Sequence, residues 1–131
     1  MSEVKGELAT YTHLDNDVHR IVYNISSNTT TDEYLQYLER LIETCSPETT
    51  LLLLVDMRPD GSPSVSYAFR SAKRLFAKHP NAPKMRGAYL LRSGGKAFLM
   101  DHFLKLLHLN SSRRFYIGDK EDEAIAWLLS D

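Results

Sequence analysis

The sequence is short of the features that most directly betray a task. It has one cysteine, Cys45, in 131 residues. A single cysteine cannot close an internal disulfide, so the chain suits a reducing compartment and a cytoplasmic location is expected. Cys45 also falls on the apolar side of a predicted helix, where a free thiol acts as a small hydrophobe. Long hydrophobic runs are missing too. The longest, Leu51 to Val55, is far too short to cross a bilayer, so no transmembrane segment is expected. The opening MSEVKGELATYTH is polar and charged, unlike a signal peptide. Neither sign of charge dominates: 16 basic residues meet 17 acidic ones. Without a basic excess, nucleic acid is not an expected partner. The five histidines (His13, His19, His79, His102 and His108) show no metal-protease spacing, and no G-x-S-x-G elbow is present. No catalytic residue, metal or cofactor is therefore expected, and the chain reads as non-enzymatic.

What is there is enough for one compact core. At 131 residues and 43% hydrophobic, the chain is expected to form a single domain over residues 1–131. A domain this size buries about two-thirds of its unfolded surface without a staple. Leu8 to Leu14 and Val18 to Ile25 alternate loosely around the turn formers Asp15-Asn16-Asp17, which predicts a β-hairpin. Thr30 with Glu33 three places on suggests a capping box, ahead of the helical stripe Tyr34, Leu35, Leu38, Leu41, Ile42 and Cys45. Thr50 to Met57 is apolar on both faces, as a central strand covered on both sides would be. Val65, Ala68, Phe69, Ala72, Leu75 and Phe76 mark a second helix, stopped at His79-Pro80. A strand over Met85 to Arg92, an apolar helix from Lys96 to Leu109, a strand over Arg113 to Ile117 and a terminal helix capped by Asp119 complete the pattern. The acidic first turn of that last helix, KEDE, suits the helix macrodipole. The order ββαβαβαβα predicts an α/β domain with a mixed five-stranded sheet and four helices. Its first strand is expected at the edge, antiparallel to its neighbour.

The stretch VDMRPDGSPSVSY, Val55 to Tyr67, is the first candidate site. It follows the carboxyl end of a parallel strand, where ligands and partners bind in open α/β sheets. Asp56, Asp60, Ser62, Ser64 and Ser66 are its candidate binding or regulatory residues. Ser62 or Ser64 equally suits a helix N-cap, and Asp56 suits a loop-orienting acceptor of N–H groups. The second candidate is RSGGKAF, where Arg92, Ser93, Gly94, Gly95 and Lys96 could form an anion nest. It lacks the P-loop's Ser/Thr after the lysine, and a tight strand-to-helix turn capped by Ser93 explains the same residues. The third is the helix AFLMDHFLKLLHL. Phe98, Leu99 and Leu106 flank its core stripe and need cover from deep burial, a homodimer, a membrane surface or a ligand cavity. A fourth feature is the basic stripe of Arg70, Lys73, Arg74 and Lys78. It suits an acidic partner or an anionic lipid, and equally an ordinary solvated face.

The element order resembles the STAS-like fold, that of anti-sigma-factor antagonists of the SpoIIAA type. LLLLVDMR is similar to the family's central strand ending in aspartate, and YIGDKEDEAIAWLLS to the closing strand and helix of an SpoIIAA-like subgroup. The resemblance implies a regulatory module that binds an as yet unidentified protein partner through the loop after Asp56 and the helix that follows. In phosphorylatable members that loop carries Asp-Ser-Ser-Gly, with a serine modified by the partner kinase. Counting from Asp56 without gaps places Ser64, Val65, Ser66 and Tyr67 there, so the acceptor position falls on Val65 and the motif is not matched. The distantly similar SEC14-type lipid-binding fold implies the alternative, a carrier of a small apolar or lipid ligand with the 96–109 helix as a cavity wall.

Overall fold

A computed structural model describes residues 2–5, 8–60, 64–95, 100–102, 105 and 111–130. Its strands are β1 (Ser2–Lys5), β2 (Ala9–His13), β3 (Val18–Tyr23), β4 (Leu51–Asp56), β5 (Met85–Leu91) and β6 (Ser111–Ile117). They form one mixed sheet in simple sequence order. β1, β2 and β3 pair antiparallel; β3 to β6 run parallel. The helices are α1 (Asn28–Thr44), α2 (Val65–Lys78), α3 (helical at residues 100–102 and 105) and α4 (Glu121–Leu129). The expected α/β architecture of the STAS type is present. One strand is added to it: Ser2–Lys5 pairs with β2 and takes the edge position expected of the Leu8 to Leu14 segment. SEVK carries no apolar alternation, so its strand character comes from backbone pairing with β2.

The topology decides which face each helix covers. A sheet that always steps in one direction through right-handed crossovers places its crossover helices on one face. Strand alternation agrees. Leu51, Leu53, Val55 and Met57 join Leu38, Ile42, Leu75 and Met100 in one cluster, on the side of α1, α2 and α3. The intervening Leu54 joins Val18, Ala88, Leu90, Ala124 and Leu128 beneath α4 on the other side. Period-two alternation in β4 is therefore hydrophobic on both faces, as a doubly covered strand requires. α1 and α2 are further tied by Tyr67 Oη donating to Asp32 Oδ1 at 2.7 Å and by Glu39 Oε2 bonded to His79 Nε2 at 2.8 Å.

Two caps differ from expectation. The N-cap of α1 is Ser27, whose Oγ accepts from Thr30 N at 3.1 Å. Thr30 lies inside the helix, fully buried, and donates to Ile25 O at 2.6 Å. Glu33 reaches back to Leu8 N and Ala9 N (3.2 and 3.1 Å), anchoring the start of β2 instead of closing a capping box. In α4 the N-cap is Lys120, with no side-chain cap bond, and Asp119 is fully exposed one residue earlier. Gly118 takes the left-handed conformation at φ 82° in the turn from β6, which moves the helix start one residue on.

The far end of α4 is held by Arg86 of β5. Its Nη2 donates to Trp127 O at 2.9 Å and its Nη1 to Ser130 O, while the guanidinium lies 4.5 Å from the Trp127 ring centroid. A cation on the last carbonyls complements the helix dipole, and the aromatic face adds a cation–π contact. Arg86→Ala is expected to cost about 1–2 kcal/mol in urea denaturation. Loss of less than a few tenths would mean that α4 docks through its apolar side alone.

Candidate functional site

The carboxyl ends of β3 to β6 meet around one buried carboxylate. Asp56 ends β4 on the α4 face, where alternation would place an apolar residue, and is only 3% exposed. A buried carboxylate needs partners, and two arginines supply them, one from β3 and one just past β4. Arg58, two residues on, grips it with a fork: Nε to Oδ1 and Nη2 to Oδ2, both 2.9 Å. The Arg58 backbone N–H also donates to Oδ1, at 3.0 Å. Arg20 from β3 reaches Oδ2 at 3.5 Å. Glu121, the first residue of α4, receives both arginines, Arg20 at 3.0 Å and Arg58 at 3.2 Å. Arg58 Nη1 donates to Gly118 O at 3.2 Å and lies 3.6 Å from Asp119. Among the described side chains, Arg20 Nε is buried without an acceptor, so the cluster holds more donors than its acceptors use.

Burial pushes the Asp56 carboxyl up, but the hydrogen bonds and charge of Arg58, with Arg20 beside it, more than offset this and hold it below the usual carboxylate range. The group stays ionised, with both oxygens occupied. Arg58 is reciprocally held in its charged form, chiefly by its hydrogen bond to Asp56. The arrangement positions backbone: by fastening Arg58, it fixes where the chain leaves β4.

The neighbouring strand ends secure the same segment. Arg92, just past β5, donates through Nε to Arg58 O at 3.0 Å and through Nη2 to Pro59 O. Asp60 Oδ2 accepts from Ser26 N at 2.9 Å, joining the segment to the loop after β3. Residues 56–60 are thus bonded to all three neighbouring connections. Around them lie exposed groups: Ile25 beside Ser26, Ile117 at the end of β6, and Asp119.

The candidate residues fall in different places. Asp56 and Asp60 belong to this network. Ser64 is the N-cap of α2, its Oγ accepting from Tyr67 N at 3.4 Å and lying 3.4 Å from the exposed Ser66 Oγ. Val65, at the position of the family's phosphoacceptor, begins α2 and packs against the core. Arg92 turns to the 58–59 backbone, while Ser93, Gly94 and Gly95 are exposed in the turn after β5. Ser62, Lys96, Phe98, Leu99 and Leu106 lie outside the described residues. In α3, Met100 is buried in the core, and Asp101 accepts from Arg113 Nε at 2.8 Å. Arg70, Lys73, Arg74 and Lys78 all lie on the exposed side of α2. Sequence reading missed Arg20 and Arg58 and saw Glu121 only as a dipole partner. The available signal was the D-x-R spacing at the strand end, which lets an aspartate grip the arginine two residues on.

A mixed sheet with three helices on one face and one on the other, and with its polar cluster at the carboxyl end of the parallel strands, defines an α/β domain of the STAS type. The chain belongs to the SpoIIAA-like family, whose model matches residues 20–129. The match runs from Arg20 to the end of α4 and so includes every charged member of the Asp56 cluster. No curated protein matches the chain. Among the described residues, no helix is long and apolar enough to cross a membrane.

Proposed function

We propose that the protein is a non-enzymatic, cytoplasmic regulatory module that binds a protein partner through the loop after Asp56 and the exposed side of α2. The observation that carries this reading is the bonding of residues 56–60 to three neighbouring connections. A segment ordered in advance loses less entropy when a partner docks. Asp56 supports binding over catalysis, because both its oxygens are engaged by arginines and none is poised to take a proton. The α2 stripe of Arg70, Lys73 and Arg74, adjoining Ser66, suits a partner with an acidic face. Ser64, as the helix cap, is tied to structure; Ser66 is an exposed hydroxyl where added phosphate would change this surface. The test is capture from the native host, comparing wild type with Arg70→Glu/Arg74→Glu and Ser66→Asp, and with Glu123→Lys on the α4 side as control. Wild type and control are expected to retain one partner that the α2 double variant loses by about tenfold or more. Equal retention by all of them would end this reading.

A second reading, a carrier of a small apolar ligand, rests on a cavity of about 110 Å³ between the sheet and α1, α2 and α3. Leu38, Leu53, Met57, Phe76 and Met100 line it, with Tyr23, Tyr34 and Tyr89. Burial pushes the three phenols up, so they stay neutral donors. Ligand pockets usually hold about 300–1,000 Å³. This volume suits one ring-sized molecule and not a lipid chain, which ranks the carrier second.

A further inference from the structure

The opposite end of the sheet carries a different cluster. The β2–β3 hairpin places His13 directly across from His19. Their imidazoles stack with centroids 4.4 Å apart and planes 15° from parallel. In the turn between them Asp17 takes a left-handed φ of 67°, which aspartate tolerates better than most residues. Its Oδ1 lies 2.6 Å from His13 Nε2. One ligand atom from each of His13, Asp17 and His19 lies within 4.8 Å of the others.

We propose that His13, Asp17 and His19 bind one borderline divalent transition-metal ion of the Zn²⁺ class. Two imidazoles and a carboxylate suit such an ion better than Mg²⁺ or Ca²⁺, which prefer all-oxygen shells. Three protein ligands leave a fourth tetrahedral position for water or an incoming group. Bonds of about 2.0–2.1 Å put tetrahedral ligand atoms roughly 3.3 Å apart. The Asp17–His13 contact must therefore open slightly, and the His13 ring must tilt out of its stack so that its nitrogen and the Asp17 carboxylate close on His19. Asp17 and His13 can move, with side chains 72% and 40% exposed, and they also provide the ion's entry path.

His19 is the fixed member. It is buried, and its Nδ1 is bonded to Tyr11 Oη at 2.7 Å, which leaves Nε2 to ligate. Such an outer partner selects the tautomer and orients a metal-binding histidine. Tyr11 is itself stacked on Tyr37 (5.5 Å), and the Arg40 guanidinium lies 5.7 Å from the Tyr37 ring centroid. The column from Arg40 to His19 thus braces the site against α1. A second His-carboxylate cluster among the described residues, Glu39, Glu43 and His79, is a poorer candidate, because the Lys78 ammonium already sits 3.2 Å from Glu39. Reading along the chain finds no metal spacing in H-x₅-H; the hairpin register brings the two histidines together.

The test is calorimetric titration of untagged protein with ZnCl₂, with CoCl₂ absorbance as a second readout. One ion per chain is expected, with the visible bands of a tetrahedral cobalt site. Tyr11→Phe is expected to weaken binding about tenfold or more, and His13→Gln and Asp17→Asn further still. Glu39→Gln should leave binding unchanged. Absence of saturable one-to-one binding, unchanged binding in His13→Gln, or loss in Glu39→Gln would each overturn the assignment.

Discussion

Asp56→Ala is expected to destabilise the protein by about 2–3 kcal/mol. Removing one member of a buried ion pair typically costs about 3–5 kcal/mol, because the partner's charge is left uncompensated. Here Arg20 and Arg58 are 26% and 24% exposed and recover some hydration, which lowers the figure. The effect should be non-additive. With Arg58 already replaced by alanine, removing Asp56 should cost less, since no fork remains to be orphaned. The pH dependence follows from the depressed carboxyl. In acid the folded state binds fewer protons at Asp56 than the unfolded chain does. Its stabilisation is therefore present above the ordinary carboxylate pKa of about 4 and is lost as pH falls through the lower folded value. Urea denaturation of wild type and variant at neutral pH, and then through the acid range, should show the two converging in acid. A neutral-pH loss under about 0.5 kcal/mol, typical of a surface change, would remove Asp56 from the centre of this account.

Leu54→Ala is expected to cost more, about 3–5 kcal/mol. The side chain is 0% exposed in the middle of the central strand, on the face beneath α4. Its neighbours there include Ala88 and Ala124, both 0% exposed. Small residues let α4 approach the sheet closely, so little side-chain volume is available to relax into a void. The cost is the lost transfer free energy plus that of the unfilled cavity. Leu52→Ala, on the same face but only half-buried, should cost clearly less. Equilibrium urea unfolding at constant m value gives both numbers. If Leu54→Ala lost less than about 1 kcal/mol, α4 would have to re-seat easily, and the two-sided core would be softer than its packing implies.

Legibility of the chain followed the range of the interactions. The hairpin, both long amphipathic helices and the central strand could be read because alternation and three- to four-residue spacing are local properties. Caps were less legible. Thr30 and Ser27 are both good capping residues, and the buried hydrogen bond from Thr30 to Ile25 O decided between them. β1 escaped notice because SEVK has no pattern of its own. In the candidate site, Asp56 stood out as a carboxylate ending an apolar strand. Arg20 did not, because in sequence it is one charged residue in a strand, 36 positions from the group it serves.

By itself, the sequence determined the α/β class, the order of elements and the burial of β4 on both sides, since side-chain period and hydrophobicity are written residue by residue. It also determined that a loop rich in turn formers follows Asp56. Only the tertiary structure decided what that loop is fastened to and what it can offer. The parallel arrangement carries Arg20, Asp56, Arg92 and Glu121 to the same end of the sheet, and charges meet there because strand ends meet. The antiparallel register does the same for His13 and His19 at the other end. Local spacing links Asp56 to Arg58 and His13 to Asp17, but only the tertiary arrangement adds Arg20, Glu121 and His19 to them.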